Sequence, residues 1–315
     1  HQKVEKYIED TWQYVKLMKL QVNSLKLTLV GNSTDLAWSK KVIDEMHPVC
    51  DFLAIHLYSI PSDSNYFTLL NSIEAFNADF NVMRTLLQKV PEKVENFSSW
   101  YRFPPRQEPL KLAVDEWGIW DLNSGKGRGD YQMEYSYNWV QALAVGKFLN
   151  LFQRNADLIG LATWAQTVNV LAPIMTSKEG SYCQTIYTPL KAYQQYTLQQ
   201  NLPIEVTSPA LEKTLKTVDA TASVSEDQKE IVVTVLNLSE KEIMPAHIDF
   251  SNLAGNKQMQ LTEHISYTAP SLGSANDFGK NCVTEAKNKM MQISKNGFGA
   301  KLKPASINFF RFKVL

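Results

Sequence analysis

At 315 residues the chain is long enough for two domains, each with its own core. Hydrophobic residues make up 44% and charged residues 20%, an ordinary globular balance. Lys+Arg and Asp+Glu both number 32, so no net basic field exists for a nucleic-acid backbone or an anionic membrane surface, while a neutral polysaccharide fits.

The first half alternates helix and strand. Residues 3–20 place Val4, Ile8, Trp12 (or Thr11), Val15 and Met18 at helical spacing. Residues 25–30 alternate as a strand that stops at Gly31-Asn32-Ser33, and residues 35–46 return to helix with Asp35 as its cap. Residues 52–58 form a second strand, apolar on both faces. Helix follows over 66–90, a third strand over 110–117, helix over 134–153 and a fourth strand over 158–165. A short helical run from Pro189 to Tyr196 closes this half. Doubly apolar strands alternating with helices mean parallel βα units. Four such units do not close a sheet of eight, and the order begins on a helix, as if cut from something larger.

Residues 158–177 carry no charged side chain. Thr163, Gln166, Thr167, Asn169 and Pro173 sit badly in lipid, so a buried parallel strand running into a loop explains the stretch better than a membrane span. From about Asn201 the period shortens. Runs at 217–224, 230–237, 246–250 and 305–312 alternate, with turns such as Ser225-Glu226-Asp227 and 271–276 between them. These predict an antiparallel β-sandwich of jelly-roll type, and a division into residues 1–200 and 201–315. His1-Gln2-Lys3-Val4 is no signal peptide.

Cys50, Cys183 and Cys282 form no CxxC pair and the five histidines no HExxH spacing, so neither a metal nor another cofactor is expected. Chemistry concentrates instead at strand ends. The third strand ends in Asp115-Glu116-Trp117, and polar groups at the C-terminal ends of parallel barrel strands face the active-site mouth. Glu116 shares parity with Leu112 and Val114, so it points where they point. A solvated strand-end carboxylate is an equally good reading of that residue alone. His56 and Tyr58 close the second strand on one face, where imidazole and phenol orient a carboxylate, bind sugar hydroxyls or simply bond within the core. Gln166 ends the fourth strand and is as ambiguous by itself. Three polar strand ends at one mouth say more than any one.

Trp117 and Trp120 follow Glu116 into the loop at that mouth, where an indole can stack on a sugar ring. Trp100 and Tyr101 precede the strand and read as packing. The loop Gly125-Lys126-Gly127-Arg128-Gly129 lacks both phosphate-cradle patterns and reads as a flexible loop near the mouth. Asn-x-Ser/Thr sites at Asn32, Asn96 and Asn237 are about as many as chance gives, and support no glycosylation reading.

At these residues the chain resembles glycoside hydrolase family 51, the α-L-arabinofuranosidases among the retaining (β/α)₈ glycosidases. Residues 51–58, DFLAIHLY, look like that family's sixth strand, whose His-x-Tyr reaches the sugar. Residues 114–120, VDEWGIW, are similar to its seventh-strand nucleophile motif DEWNVW. Residues 142–150, ALAVGKFLN, and 154–157, RNAD, match the following helix. Residues 165–176, AQTVNVLAPIMT, are close to its AQLVNVIAPIMT, and residues 302–308, LKPASIN, resemble its last sandwich strand.

The resemblance implies the second half of a (β/α)₈ barrel followed by a β-sandwich. It further implies retaining removal of terminal α-L-arabinofuranosyl residues from arabinose-containing polysaccharides. Glu116 would be the nucleophile, with His56, Tyr58 and Gln166 contacting the nucleophile or the sugar. Two departures stand out. Gly118 replaces the family's usual Asn, and no Asn-Glu dipeptide, the family's acid/base signature, occurs anywhere in the 315 residues. The expected partner is therefore the missing N-terminal half of the barrel, with self-association into a homo-oligomer left open. On this reading the isolated chain is inactive or very weak. The rivals are an endo-β-1,4-glucanase of the same family and a non-catalytic carbohydrate-binding remnant.

Overall fold

The computed structural model describes residues 2–63, 65–95, 103–120, 133–253, 258–288 and 297–315. Asn96, Trp100, Tyr101 and the loop 125–129 lie outside them. The chain packs into two compact units, one of residues up to Tyr58 with Ala75–Gly118 and Asn155–Ala165, the other of Ser59–Glu74, Ile119–Arg154 and Gln166–Leu315. Packing thus groups the helix before residue 155 with the C-terminal strands, whereas the change of hydrophobic period falls near Asn201.

In chain order the first elements are α1 (Val4–Gln21), β1 (Thr28–Val30), α2 (Leu36–Met46), β2 (Phe52–Ser59), α3 (Tyr66–Leu87), β3 (Lys111–Ile119), α4 (Trp139–Arg154) and β4 (Ile159–Trp164). The first unit is built on a four-stranded sheet in the order β1-β2-β3-β4. β1 pairs with β2, and β3 with β4, in parallel. Asp35 caps α2 as expected, its carboxylate accepting from the Trp38 backbone N–H at 3.0 Å. Gly31 ends β1 where a Cβ would lie 2.6 Å from both the Ala54 carbonyl oxygen and Leu53 Cγ, so only glycine lets the two strands approach there. Leu53, Ile55 and Leu57 of β2, and Leu112, Ala113 and Val114 of β3, are all buried. Arg106 ties down the approach to β3. Its guanidinium, on a residue only 4% exposed, donates to the carbonyls of Pro91 (2.6 Å), Glu92 (2.9 Å), Glu108 (2.8 Å) and His47 (3.3 Å).

β4 departs from the expectation of a buried strand. It is the edge of this sheet, and Gly160, Ala162 and Thr163 are exposed. An edge strand has one neighbour, and apolar composition alone does not reveal which strands are edges. Nor is the stretch after it only loop. β5 (Ile174–Ser177) and β6 (Gly180–Cys183) form an antiparallel hairpin in the second unit, followed by α5 (Tyr187–Tyr196).

The remaining strands are β7 (Gln200–Leu202), β8 (Ala210–Glu212), β9 (Leu215–Lys216), β10 (Val218–Val224), β11 (Glu230–Asn237), β12 (Met244–Ile248), β13 (Met259–Thr268), β14 (Thr284–Lys287), β15 (Phe298–Leu302) and β16 (Ser306–Val314). Six of them make an antiparallel sheet in the order β14-β13-β16-β11-β10-β7, and β12 pairs separately with β15. One face of the large sheet shares a core with that pair: Ile231, Val233, Val235, Phe310 and Phe312 lie with Met244, Phe298 and Leu302. The other face takes helices. Tyr193 and Tyr196 of α5 set their rings 5.2 and 5.0 Å from Phe309, and Gly146 of α4 sits where a Cβ would meet Leu236 at 3.1 Å. Alternation along β16 therefore sends Phe309 to the helices and Phe310 and Phe312 to the strand pair, so a nearly continuous apolar run is buried on both sides.

A polar pin joins α4 to β10 in this unit. The buried Asp219 carboxylate accepts from Lys147 (3.1 Å), Asn150 (3.1 Å) and Arg154 (2.6 Å), and Lys147 also donates to Glu74 at 2.6 Å. Burial pushes the Asp219 pKa up, but Lys147 and then Arg154 outweigh it and hold the group below its ordinary value.

Candidate active site

In β2, burial of Ile55 and Leu57 leaves His56 exposed and Tyr58 half-buried, two residues apart on one face. The Tyr58 hydroxyl donates to Glu116 Oε2 at 3.0 Å. His56 lies between two carboxylates, with Nδ1 3.6 Å from Glu116 Oε2 and Nε2 3.5 Å from Asp115 Oδ1. These separations exceed hydrogen-bond length but allow charge attraction when the imidazole is protonated. Asp115 Oδ1 is buried and accepts no hydrogen bond among the described residues. His56 is the group that faces it.

Strict strand alternation would send the neighbours Asp115 and Glu116 to opposite faces. They converge because β3 carries a bulge. Val114 pairs with Ala162 and Trp117 with Trp164, so Asp115 and Glu116 together stand opposite Thr163. The Thr163 hydroxyl donates to the Asp115 carbonyl at 2.6 Å and pins the irregularity. Parity counted from Leu112 and Val114 consequently does not carry through to Glu116. Sequence reasoning passed over Asp115 for this reason, since a one-residue insertion in the ladder leaves no mark in composition.

The Tyr58 pKa is pushed up to about 12, first by burial and then by its hydrogen bond to Glu116 and the charges of Glu116 and Asp115. Tyr58 is thus a protonated donor at any neutral pH. Trp117, expected in the loop, lies inside β3. It is 1% exposed, with its ring edge-on to Trp164 at 4.9 Å, so it is a packing residue in this arrangement. Gly118 faces the same indole, with Trp164 ring atoms 3.4 Å from where its Cβ would be. Trp120 and Gln166 belong to the second unit. There the Trp120 backbone N–H donates to Ser59 at 2.8 Å, and Gln166 is exposed just beyond the end of β4. Among the described residues no group of three His, Cys, Asp or Glu converges as a metal site would, and no helix is long and apolar enough to cross a membrane.

The arrangement offers a half-exposed carboxylate, one of whose oxygens is fixed by a phenol. That is a serviceable nucleophile for a carbon bearing a leaving group. The fold has counterparts among solved structures. The α-L-arabinofuranosidase of Thermotoga maritima, solved as an arabinose complex, superposes with a TM-score of 0.80 at 21% identity, over 100% of this chain and 63% of that one. The family 51 enzyme of Thermotoga petrophila does so with a TM-score of 0.80 at 22% identity, over 99% and 62%. The chain shares its fold with these two solved enzymes.

Its family follows from the sequence comparisons. The α-L-arabinofuranosidase C-terminal domain matches residues 115–306, and the chain belongs to that family. It is 29% identical over 268 residues to α-L-arabinofuranosidase C of Emericella nidulans, covering 78% of this chain and 51% of that protein. It is 26% identical over 331 aligned positions to the intracellular exo-α-(1→5)-L-arabinofuranosidase 1 of Bacillus subtilis, covering 99% and 63%. The chain thus spans about half the length of the fungal relative.

Proposed function

We propose that residues 1–200 are the second half of a (β/α)₈ catalytic barrel and residues 201–315 a jelly-roll-type sandwich. Together they are part of a retaining α-L-arabinofuranosidase that trims arabinose-containing polysaccharide. The observation that carries this reading is the 3.0 Å hydrogen bond from Tyr58 to Glu116 at the ends of neighbouring strands, in a chain of this family.

Glu116 attacks the anomeric carbon, the bond to the leaving sugar oxygen breaks, and a glycosyl ester forms. Water then attacks the same carbon, its proton passing to the second carboxylate left by the first step, and Glu116 departs as a carboxylate. Tyr58, protonated throughout, fixes Oε2 and the attack angle. His56 offers a charge partner shared with Asp115. Gln166 offers an amide able to hydrogen-bond a sugar hydroxyl, and Trp120 an indole able to stack on a sugar ring.

The leaving oxygen needs a proton from a second carboxyl ~5–5.5 Å from the first. With no Asn-Glu in residues 1–315, we assign that carboxyl to a complementary segment supplying the first barrel units. Two features suit such a segment. The strands β1 and β4 are both sheet edges, and Tyr14, Leu17 and Leu20 of α1 are 64%, 64% and 72% exposed. The test is release of aryl alcohol from an aryl α-L-arabinofuranoside by the isolated chain and by the chain joined to that segment. Turnover should appear only in the joined protein; robust turnover by the chain alone would contradict the proposal.

A further inference from the structure

A cleft of about 470 Å³ opens in the second unit, between the β6–α5 segment and the residues linking β13 to β14. That volume lies in the ~300–1,000 Å³ range of small-ligand sites. The cleft is built rather than incidental. Gln184 at its base is fully buried, with both its amide hydrogens and its amide oxygen engaged. Its Nε2 donates to Tyr135 (2.9 Å) and Ala172 (2.8 Å), and its Oε1 accepts from the Tyr137 N–H at 2.8 Å. Asn276, 7% exposed, joins the two walls. Its Nδ2 donates to the Cys183 carbonyl at 2.8 Å while its Oδ1 accepts from the Cys282 backbone N–H at 2.8 Å. The far wall is closed by reciprocal backbone hydrogen bonds between Asp277 and Lys280, at 3.0 and 2.9 Å, around Gly279 at φ +67°. A cleft so braced is formed before any ligand arrives, which lowers the ordering cost of binding.

Its surface chemistry is specific. Tyr182, Tyr187 and Tyr267 line it, with Phe278 edge-on to Tyr182 at 4.8 Å. Lys191 and Lys280 are matched by Asp277 and Glu285, so the lining carries no net charge. Flat rings beside a ring of donors and acceptors, at zero net charge, suit a ligand with apolar C–H faces and many hydroxyls. They give an ion no net attraction.

We infer that this cleft is a second carbohydrate-binding site, holding a short stretch of neutral saccharide on a lining that does not include Glu116. It binds without cleaving. It would keep the polymer on the protein between successive cleavages, a role that goes beyond the proposed reaction, since binding here needs neither Glu116 nor an acid/base partner.

The experiment titrates α-1,5-linked arabinotriose and, separately, a carboxylated oligogalacturonide into the chain, with binding read by calorimetry. Wild type and Glu116→Gln should bind arabinotriose saturably and alike, and the oligogalacturonide should bind more weakly. Tyr187→Ala should weaken binding at least ~10-fold, equivalent to ~1.4 kcal/mol. Lys280→Ala, an exposed change that spares the fold, should weaken it in the same direction. Equal affinity in wild type and both cleft variants, no arabinotriose binding, or preference for the carboxylated ligand would each overturn the inference. Loss of binding in Glu116→Gln alone would assign the bound sugar to the Glu116 site instead.

Discussion

The two sheets of this chain are covered to very different degrees. In the antiparallel sheet, β11 and β16 bury almost every residue, because strands pack one face and helices the other. In the parallel sheet β2 and β3 are well buried, but the edge strand β4 leaves Gly160, Ala162 and Thr163 open. The closely covered sheet carries the large aromatic core. The less covered one carries the adjacent carboxylates, the bulge that brings them together and an Asp115 oxygen that accepts no hydrogen bond among the described residues. Reactive polar groups need solvent or substrate access, and irregular backbone is tolerated where the surroundings hold it in place. The comparison predicts that substitutions in the first sheet change chemistry and those in the second change stability.

The largest expected effect tests the first half of that statement. In the protein joined to its complementary segment, Glu116→Gln should lower kcat by at least ~10⁴-fold, while Asp115→Asn keeps measurable turnover. Initial rates on an aryl α-L-arabinofuranoside decide it, and comparable rates in both variants would dissolve the contrast.

Next come two core substitutions in the second sheet. Phe310, fully buried between β13, β15 and β11, should cost ~3–5 kcal/mol when changed to Ala. Asp219→Asn should cost a similar ~3–5 kcal/mol by leaving Lys147 and Arg154 undercompensated. Urea unfolding reads both. The Asp219 pKa is lowered in the folded chain, so the unfolded chain takes up the proton first as pH falls. Its stabilisation is whole above the ordinary value of 3.8 and is lost as pH drops through the lowered one. The gap between wild type and Asp219→Asn should therefore close in acid.

Smaller effects belong to Tyr58. Tyr58→Phe should slow the joined enzyme by ~10–10²-fold in kcat/KM, the loss of one hydrogen bond to a charged group. With its pKa near 12, Tyr58 should add no limb to the pH–rate profile below pH 10, and such a limb would argue against the bond.

Much of this organisation is legible in the sequence because burial sets the pattern. Strands buried on both faces, such as residues 52–58 and 110–117, stand out as apolar runs, and Asp35 marks its helix through a local hydrogen bond. What escapes is whatever depends on ladder register. Met259–Thr268 is the strand between β14 and β16, yet its period is broken by a register shift between Leu261 and Glu263. The bulge at Asp115 and Glu116 hides in the same way. The β5–β6 hairpin is short and its turn is charged, so nothing in the sequence separates it from loop. In the site, polar strand ends pointed to Glu116, His56 and Tyr58. The depth of Trp117 and the approach of Asp115 to His56 are products of tertiary packing.

The central claim is that Glu116, rather than its neighbour, forms the bond to sugar. The joined protein can be treated with an activated 2-deoxy-2-fluoro-arabinofuranosyl substrate, whose ester intermediate hydrolyses slowly, and the adduct located by fragmentation of the labelled peptide. The account predicts one glycosyl adduct on Glu116, absent in Glu116→Gln. An adduct on Asp115, or one that persists in Glu116→Gln, would contradict it.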